Sequence, residues 1–132
     1  MRVLAIGAHP DDLEILCGGT LARYAREGHE VTMAHATDGA RGGMPGELPA
    51  HVARVRAAEA ATAAGIAGAL HVAVGLPDSG VSPTDLEQRR AIVELVREAS
   101  PHVILTHHPS DYHGDHRDVS ELVFAASFAA TN

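Results

Sequence analysis

Apolar residues alternate along the chain between short unbroken runs and helical stripes. Residues 3–8 form a continuous apolar run that ends at the turn His9-Pro10-Asp11-Asp12, and an unbroken run of this length suits a strand covered on both faces. From Leu13 the spacing changes. Leu13, Leu16, Cys17, Leu21 and Tyr24 recur at helical intervals, with Asp11 or Asp12 as cap and Gly28 as stop. Residues 30–36 read as a second strand, 52–65 as an Ala-rich helix and 70–74 as a third strand. Ser82-Pro83-Thr84-Asp85 offers a cap residue, a proline at the first helical position and an acid three residues after the cap. It predicts a helix opening there and running through Leu86, Val93, Val96 and Ala99. Residues 103–106 supply a fourth strand. Asp118-Val119-Ser120-Glu121 starts a last helix, in which Val119, Leu122, Val123, Ala126 and Ala130 share one stripe and Phe124 and Phe128 an adjoining face.

Repeated strand–helix order predicts a Rossmann-like α/β fold: a three-layer sandwich with a mainly parallel sheet in the order 3-2-1-4. Polar or Gly-rich segments follow each strand, at residues 9–12, 37–49, 75–80 and 107–118. The second of these holds Gly39, Gly42, Gly43 and Gly46 and is expected to be a mobile lid.

Composition narrows the class. The 132 residues amount to one domain, residues 1–132, because domains run to roughly 100–200 residues. A net charge of −7 is a poor footing for phosphate-backbone contacts, so nucleic acid is not expected as a partner. Cys17 is the one cysteine; it forms no internal disulfide and, on an apolar stripe, reads as a buried inert thiol. The N-terminal apolar run is shorter than an export signal, and no window approaches the roughly 18 apolar residues of a membrane span. A cytoplasmic protein is the expectation. Ten histidines stand out, four of them between His107 and His116.

Two constellations carry chemistry. His9-Pro10-Asp11-Asp12 places a nitrogen and two carboxylates where the first strand turns into a helix, a donor set suited to a metal; the plain alternative is that both acids only cap the helix. His107-His108-Pro109-Ser110-Asp111-Tyr112-His113-Gly114-Asp115-His116 interleaves imidazole and carboxylate beyond what a surface loop needs. In a 3-2-1-4 sheet, strands 1 and 4 are neighbours and the crevice at their carboxyl ends is where ligands bind, so both segments face one site.

Ala8-His9-Pro10-Asp11-Asp12-Leu13-Glu14 together with His108-Pro109-Ser110-Asp111-Tyr112-His113-Gly114-Asp115-His116-Arg117 resembles the signature pair of the PIG-L/LmbE-like zinc deacetylases. Thr37-Asp38-Gly39, Arg56 with Glu59, and Leu76-Pro77-Asp78-Ser79-Gly80 look like landmarks of that family in family order, so the resemblance covers nearly the whole chain. It implies His9, Asp12 and His116 as ligands of one Zn2+ and Asp11 as general base. It further implies His113 beside the scissile carbonyl, Asp115 orienting His113 or a neighbouring imidazole, and Arg56 and Asp78 touching substrate. Arg56 and Glu59 could equally be a helix-surface pair, and Asp78 a turn residue.

The chemistry then expected is hydrolysis of the N-acetyl group of an N-acetylglucosamine-type amino sugar or glycoconjugate, releasing acetate and a free amine. Two rivals stand beside it: a two-metal phosphoesterase using Asp11 and Asp111 as extra ligands, and a non-catalytic binding module. The absence of a glycine-rich turn after the first strand counts against a phosphate cradle. Tyr24 reads as core; His29, His35, His51, His71 and His102 read as surface or satisfied strand-edge residues. Of His107 and His108 at most one can enter the crevice. Members of the resembled family are longer, so the chain is expected to be a fragment. A further segment or a partner subunit, a homo-oligomer included, would then cover Phe124 and Phe128 and complete the pocket.

Overall fold

Four parallel strands, β1 (Arg2–Gly7), β2 (Glu30–Thr37), β3 (Leu70–Leu76) and β4 (Val103–Thr106), form one sheet in the order β3-β2-β1-β4. The computed structural model describes residues 1–131. Between the strands lie α1 (Asp12–Arg26), α2 (Pro49–Ala67) and α3 (Leu86–Ala99), and α4 (Gly114–Ala129) follows β4. Strand β1 is buried from Val3 to Gly7, as its apolar run requires. Alternate residues face opposite layers. Val3 and Ala5 join Val31 and Met33 against Leu13, Leu21 and Ala64 of α1 and α2. Leu4 and Ile6 join Ala34 against Ile92, Val96, Val119 and Leu122 of α3 and α4. Two apolar layers of this kind bury enough surface to fix the helices on both faces.

Several boundaries differ from the sequence reading. Helix α3 starts at Leu86, where Asp85 is the cap and its carboxylate accepts the N–H groups of Glu87 and Gln88 at 2.9 and 3.0 Å. Ser82 instead turns its Oγ to Thr84 Oγ1, so residues 82–85 form a turn and not the first helical turn. Helix α4 starts at Gly114, four residues before Asp118, because the His113 ring caps it by accepting the Asp115 N–H at 3.1 Å. On α1, Leu13 and Leu21 are buried while Leu16 is 65% exposed, because the helix turns its 13-17-21-24 line to the sheet and leaves position 16 off that face. On α4 the stripe Val119, Leu122, Val123 and Ala126 is buried. Phe124 and Phe128 are exposed with their rings 5.2 Å apart. A groove of about 740 Å³ runs beside Ile104, Thr106 and Phe124, but no histidine lines it.

The cap assignment on α3 can be checked directly. Asp85→Ala should cost about 1 kcal/mol in urea unfolding, whereas Ser82→Ala should cost less than half as much.

Candidate metal centre

Because all four strands run the same way, the loops after them share one rim of the sheet. Gly7 ends β1 as glycine because α1 comes close to it: a Cβ there would lie 3.0 Å from Leu13 Cγ and 3.2 Å from Asp12 Cβ. That approach delivers Asp12 to the crevice. Thr37 closes the loop from the other side, its N–H and Oγ1 both donating to the Ala8 carbonyl at 2.8 and 2.9 Å. Across the crevice, β4 pairs with β1 as far as Ile6 beside Thr106, which sets His107 and the residues after it next to His9-Pro10-Asp11-Asp12.

The carboxylate of Asp12 lies at the centre. Its Oδ2 accepts the His9 backbone N–H at 2.7 Å and lies 3.3 Å from His9 Nδ1, while its Oδ1 lies 3.2 Å from His116 Nε2. Both rings are tethered on their far side: His9 Nε2 meets Asp115 Oδ2 at 3.1 Å and His116 Nδ1 meets Asp111 Oδ1 at 3.0 Å. A carboxylate only accepts, so those far nitrogens carry the protons, and a neutral imidazole has just one N–H. The inner nitrogens are then lone pairs aimed at the oxygens of Asp12. Such an arrangement is repulsive unless a cation stands between, either a metal ion or a second proton on each ring. A carboxylate on the far nitrogen is also the usual support of a metal-ligating histidine. The donor set therefore fits a metal.

The electrostatics treat the two rings differently. Burial pushes the Asp12 carboxyl up, but the His107 and His9 rings and the His9 N–H, with a smaller contribution from the His116 ring, hold it far below the usual carboxylate range. For His9, burial is outweighed by the hydrogen bonds to Asp12 and Asp115, and its affinity for a proton rises. For His116 burial wins over the attraction of Asp12, and the ring is pushed below the ordinary histidine value, toward the neutral form that a metal ligand requires.

Three groups have one donor atom from each residue within 4.8 Å of the others: His9, His113 and His116; Asp12, His107 and His116; and His9, Asp78 and Asp115. The trio of His9, Asp12 and His116 is not itself one of these, since Asp12 turns one oxygen to each ring. His113 sits against His9, their ring centroids 4.7 Å apart; its Nδ1 is occupied by the Asp115 N–H, so in the neutral ring the proton is on Nε2. The Asp115 carboxylate serves His9 and the Ser79 N–H at 2.8 Å, and not His113. Asp78 accepts the Arg41 N–H at 2.7 Å and stands 3.5 Å from His9 Nε2. Asp11 has φ 126°, a backbone conformation that costs a non-glycine residue of order 1–3 kcal/mol. Arg56 holds it there. Its guanidinium binds Asp11 Oδ2 at 2.8 Å, the Pro10 carbonyl at 2.5 Å and the Gly39 carbonyl at 2.9 Å. Gly39, with φ 64°, has no Cβ to collide with that guanidinium. The Arg56 fork is thus spent on the loops, and no ion pair joins it to Glu59.

Two features were not legible beforehand. His107 is the member of its pair that enters: buried, it accepts the Ala8 N–H at 2.9 Å and stacks on His116 at 3.9 Å, while His108 is exposed. His35 is not a surface residue but 1% exposed, with Nε2 3.2 Å from Glu14 and Nδ1 3.3 Å from His71. Burial pushes Glu14 up, yet the hydrogen bond from His35 and nearby backbone N–H groups bring it below the usual glutamate value.

The model of the family described as PIG-L, GlcNAc-PI de-N-acetylase, matches residues 4–127. The chain belongs to the PIG-L family. A 1D-myo-inositol 2-acetamido-2-deoxy-alpha-D-glucopyranoside deacetylase of Rhodococcus erythropolis is 32% identical, over 98% of this chain and 53% of its own length. The diacetylchitobiose deacetylase of Thermococcus kodakarensis is 34% identical, over 97% and 50%. Among solved structures, the 4-carboxy-2-hydroxymuconate hydratase of Pseudomonas putida superposes with a TM-score of 0.91 at 26% identity, covering 100% of this chain and 58% of that one. This PIG-L chain spans about half the length of the curated relatives it matches. Among its described residues, no helix is long and apolar enough to cross a membrane.

The lowered Glu14 predicts a pH dependence. A group depressed on folding stabilises the native state above its unfolded value, near 4.5, and that stability is lost as pH falls through the folded value. Urea unfolding of the metal-free protein should therefore show a shallower loss of stability between about pH 5 and pH 3 for Glu14→Gln than for the parent.

Proposed function

We propose that this chain carries the catalytic centre of a zinc-dependent N-deacetylase acting on an N-acetylated amino sugar or glycoconjugate. The observation that carries the reading is the Asp12 carboxylate set between two imidazoles whose outer nitrogens are held by Asp115 and Asp111. His9, Asp12 and His116 would hold one Zn2+. Bound there, the ion supplies Lewis acidity and makes water ionise near neutral pH. The acetamide substrate is suggested by the relatives named as deacetylases of glucosamine-type compounds.

Asp11, held by Arg56, accepts a proton from the attacking water. The His113 Nε2–H donates to the carbonyl oxygen as it becomes an oxyanion, a contribution of roughly 3–4 kcal/mol for one such donor. Asp11 returns its proton to the departing nitrogen, so that water and amide give acetate and amine. Asp115 and Asp111 keep His9 and His116 in one tautomer and orientation throughout. Asp78, which accepts the Arg41 N–H at the rim, would meet the sugar in this reading.

A hydratase is the second reading, favoured by the 0.91 TM-score to 4-carboxy-2-hydroxymuconate hydratase. The charge pattern opposes a carboxylate-bearing substrate, because Asp11, Asp78, Asp111 and Asp115 surround the crevice while Arg56 and Arg117 are engaged with loop oxygens. The two-metal phosphoesterase would need Asp11 and Asp111 as extra ligands, and among the described residues neither belongs to a group of donor atoms close enough to share an ion. Elemental analysis with amine and acetate release from N-acetylglucosamine derivatives, run beside loss of the diene absorbance of a hydroxymuconate, separates the readings. One zinc with amine release supports the deacetylase; diene loss without amine release overturns it.

His116→Ala should lose both zinc and turnover, whereas Asp11→Asn should keep zinc and lose at least about a hundredfold in kcat. A metal-free Asp11→Asn protein would contradict the base assignment. Arg56→Lys should lower kcat about tenfold with KM little changed, because a point charge cannot hold three oxygens at once. An effect on KM alone would return Arg56 to direct substrate contact.

A further inference from the structure

The first turn of α1 is tied to the rest of the molecule on both flanks, and only one of the ties belongs to the metal centre. Beneath the turn, Leu13 packs against Gly7. That contact is apolar and non-directional: it sets how close the helix comes but does little to fix its rotation. Asp12 and Glu14 stand either side of Leu13, roughly 200° apart around the axis. Asp12 reaches toward β4, where it meets His107 and His116. Glu14 reaches the other way and meets His35 of β2 at 3.2 Å, and His35 in turn meets His71 of β3 at 3.3 Å.

With both rings neutral, the carboxylate sets one proton order along this chain. The Glu14 carboxylate only accepts, so His35 Nε2 donates to it; the neutral ring then has a lone pair on Nδ1, which accepts the N–H of His71 Nε2. His35 is sealed from solvent with 1% exposure, so no water takes the place of either partner. The metal reading leaves this buried polar chain without a role.

We propose that Glu14, His35 and His71 are positioning residues: together they set the rotation of α1 and thereby hold the Asp12 carboxylate between His9 and His116. The inference rests on the reading of Asp12 as a zinc ligand. Any rotation that freed Glu14 from His35 would carry Asp12 out of reach of both rings, since the two side chains share one rigid turn.

The test is zinc affinity of the metal-free full chain, measured by competition with a chromophoric chelator, alongside thermal melts. Glu14→Ala should weaken zinc binding about tenfold, the scale on which outer partners of metal sites act. Glu14→Gln, which keeps an acceptor for His35, should recover affinity to within about threefold of the parent. Leu21→Ala, which loosens α1 by packing alone, should lower the melting temperature and leave the affinity unchanged. Parent-like affinity in Glu14→Ala, no recovery in Glu14→Gln, or an equal loss in Leu21→Ala overturns the proposal. Should Glu14→Ala fail to fold, His71→Leu takes its place: a measurable loss of affinity supports the proposal and parent-like affinity overturns it. Asp12→Ala separates the two levels. If it binds zinc as tightly as the parent, or the parent binds none, the metal reading falls and this inference with it. If Asp12→Ala loses zinc while Glu14→Ala keeps it, the positioning role alone falls.

Discussion

The parallel pairing of β1 with β4 joins segments about a hundred residues apart in sequence, from Val3 beside Val103 to Ile6 beside Thr106, and the site exists only where that ladder ends. Each half is chemically incomplete without the other. His9 and Asp12 come from the turn after β1, while His107, His113, Asp115 and His116 come from the segment after β4, and the contacts of the Asp12 carboxylate with His107 and His116 and of His9 with Asp115 cross between the two. The chain passes from one side of β1 to the other at this point, and the crevice so formed is the place where open α/β sheets bind ligands.

What the ladder brings together is an uneasy set of charges. Four carboxylates, Asp12, Asp78, Asp111 and Asp115, converge on His9 and His116. Hydrogen bonds satisfy the outer side of each ring, but the inner side has an excess of acceptors. With both rings neutral these acceptors face one another without a proton between them, which a cation would relieve. A divalent ion bound there would couple to folding, stabilising this arrangement by mass action in proportion to the logarithm of its concentration over its dissociation constant. The tethers to Asp115 and Asp111 keep the rings from turning away to relieve the crowding.

Much of this was readable in the residues. The parallel class followed from strand–helix alternation and connection rules, and the strand order and the facing of the two motifs from the common doubly-wound arrangement, because those depend on periodicity and topology and not on side-chain detail. The starts of α3 and α4 did not, for local reasons. Ser82 with Pro83 imitates a capping box, but Asp85 offers a carboxylate in reach of two N–H groups and takes the cap. His113 caps α4 through its ring, a role for which sequence preferences point to serine, threonine, asparagine or aspartate. His35 was misread because β2 is buried on both faces, so its neighbours on the strand give no alternation from which to tell inside from outside. Arg56 could be recognised as important but not assigned a target: its partners are two carbonyls and a strained aspartate, which no residue pattern encodes.

A hydratase and deacetylases sharing one scaffold show that the fold leaves the reaction open, so the reaction has to be argued from the charges at the rim. Adding water to a double bond of a polycarboxylate requires cations that stay free to receive its carboxylates. Here Arg56 is committed to the loop bearing Asp11 and Arg117 to the Asp111 carbonyl, Arg41 meets Asp78 through its backbone N–H, and the groups that converge on His9 and His116 are carboxylates. A neutral polyhydroxylated amide suffers no repulsion from those acids and can donate its hydroxyl protons to them. Its carbonyl needs one Lewis acid and one N–H donor, its attacking water one carboxylate base, and its leaving nitrogen one returned proton. Zinc held by His9, Asp12 and His116, the Nε2–H of His113 and the carboxylate of Asp11 would supply that set with none left over, and that economy favours amide hydrolysis over hydration at this site.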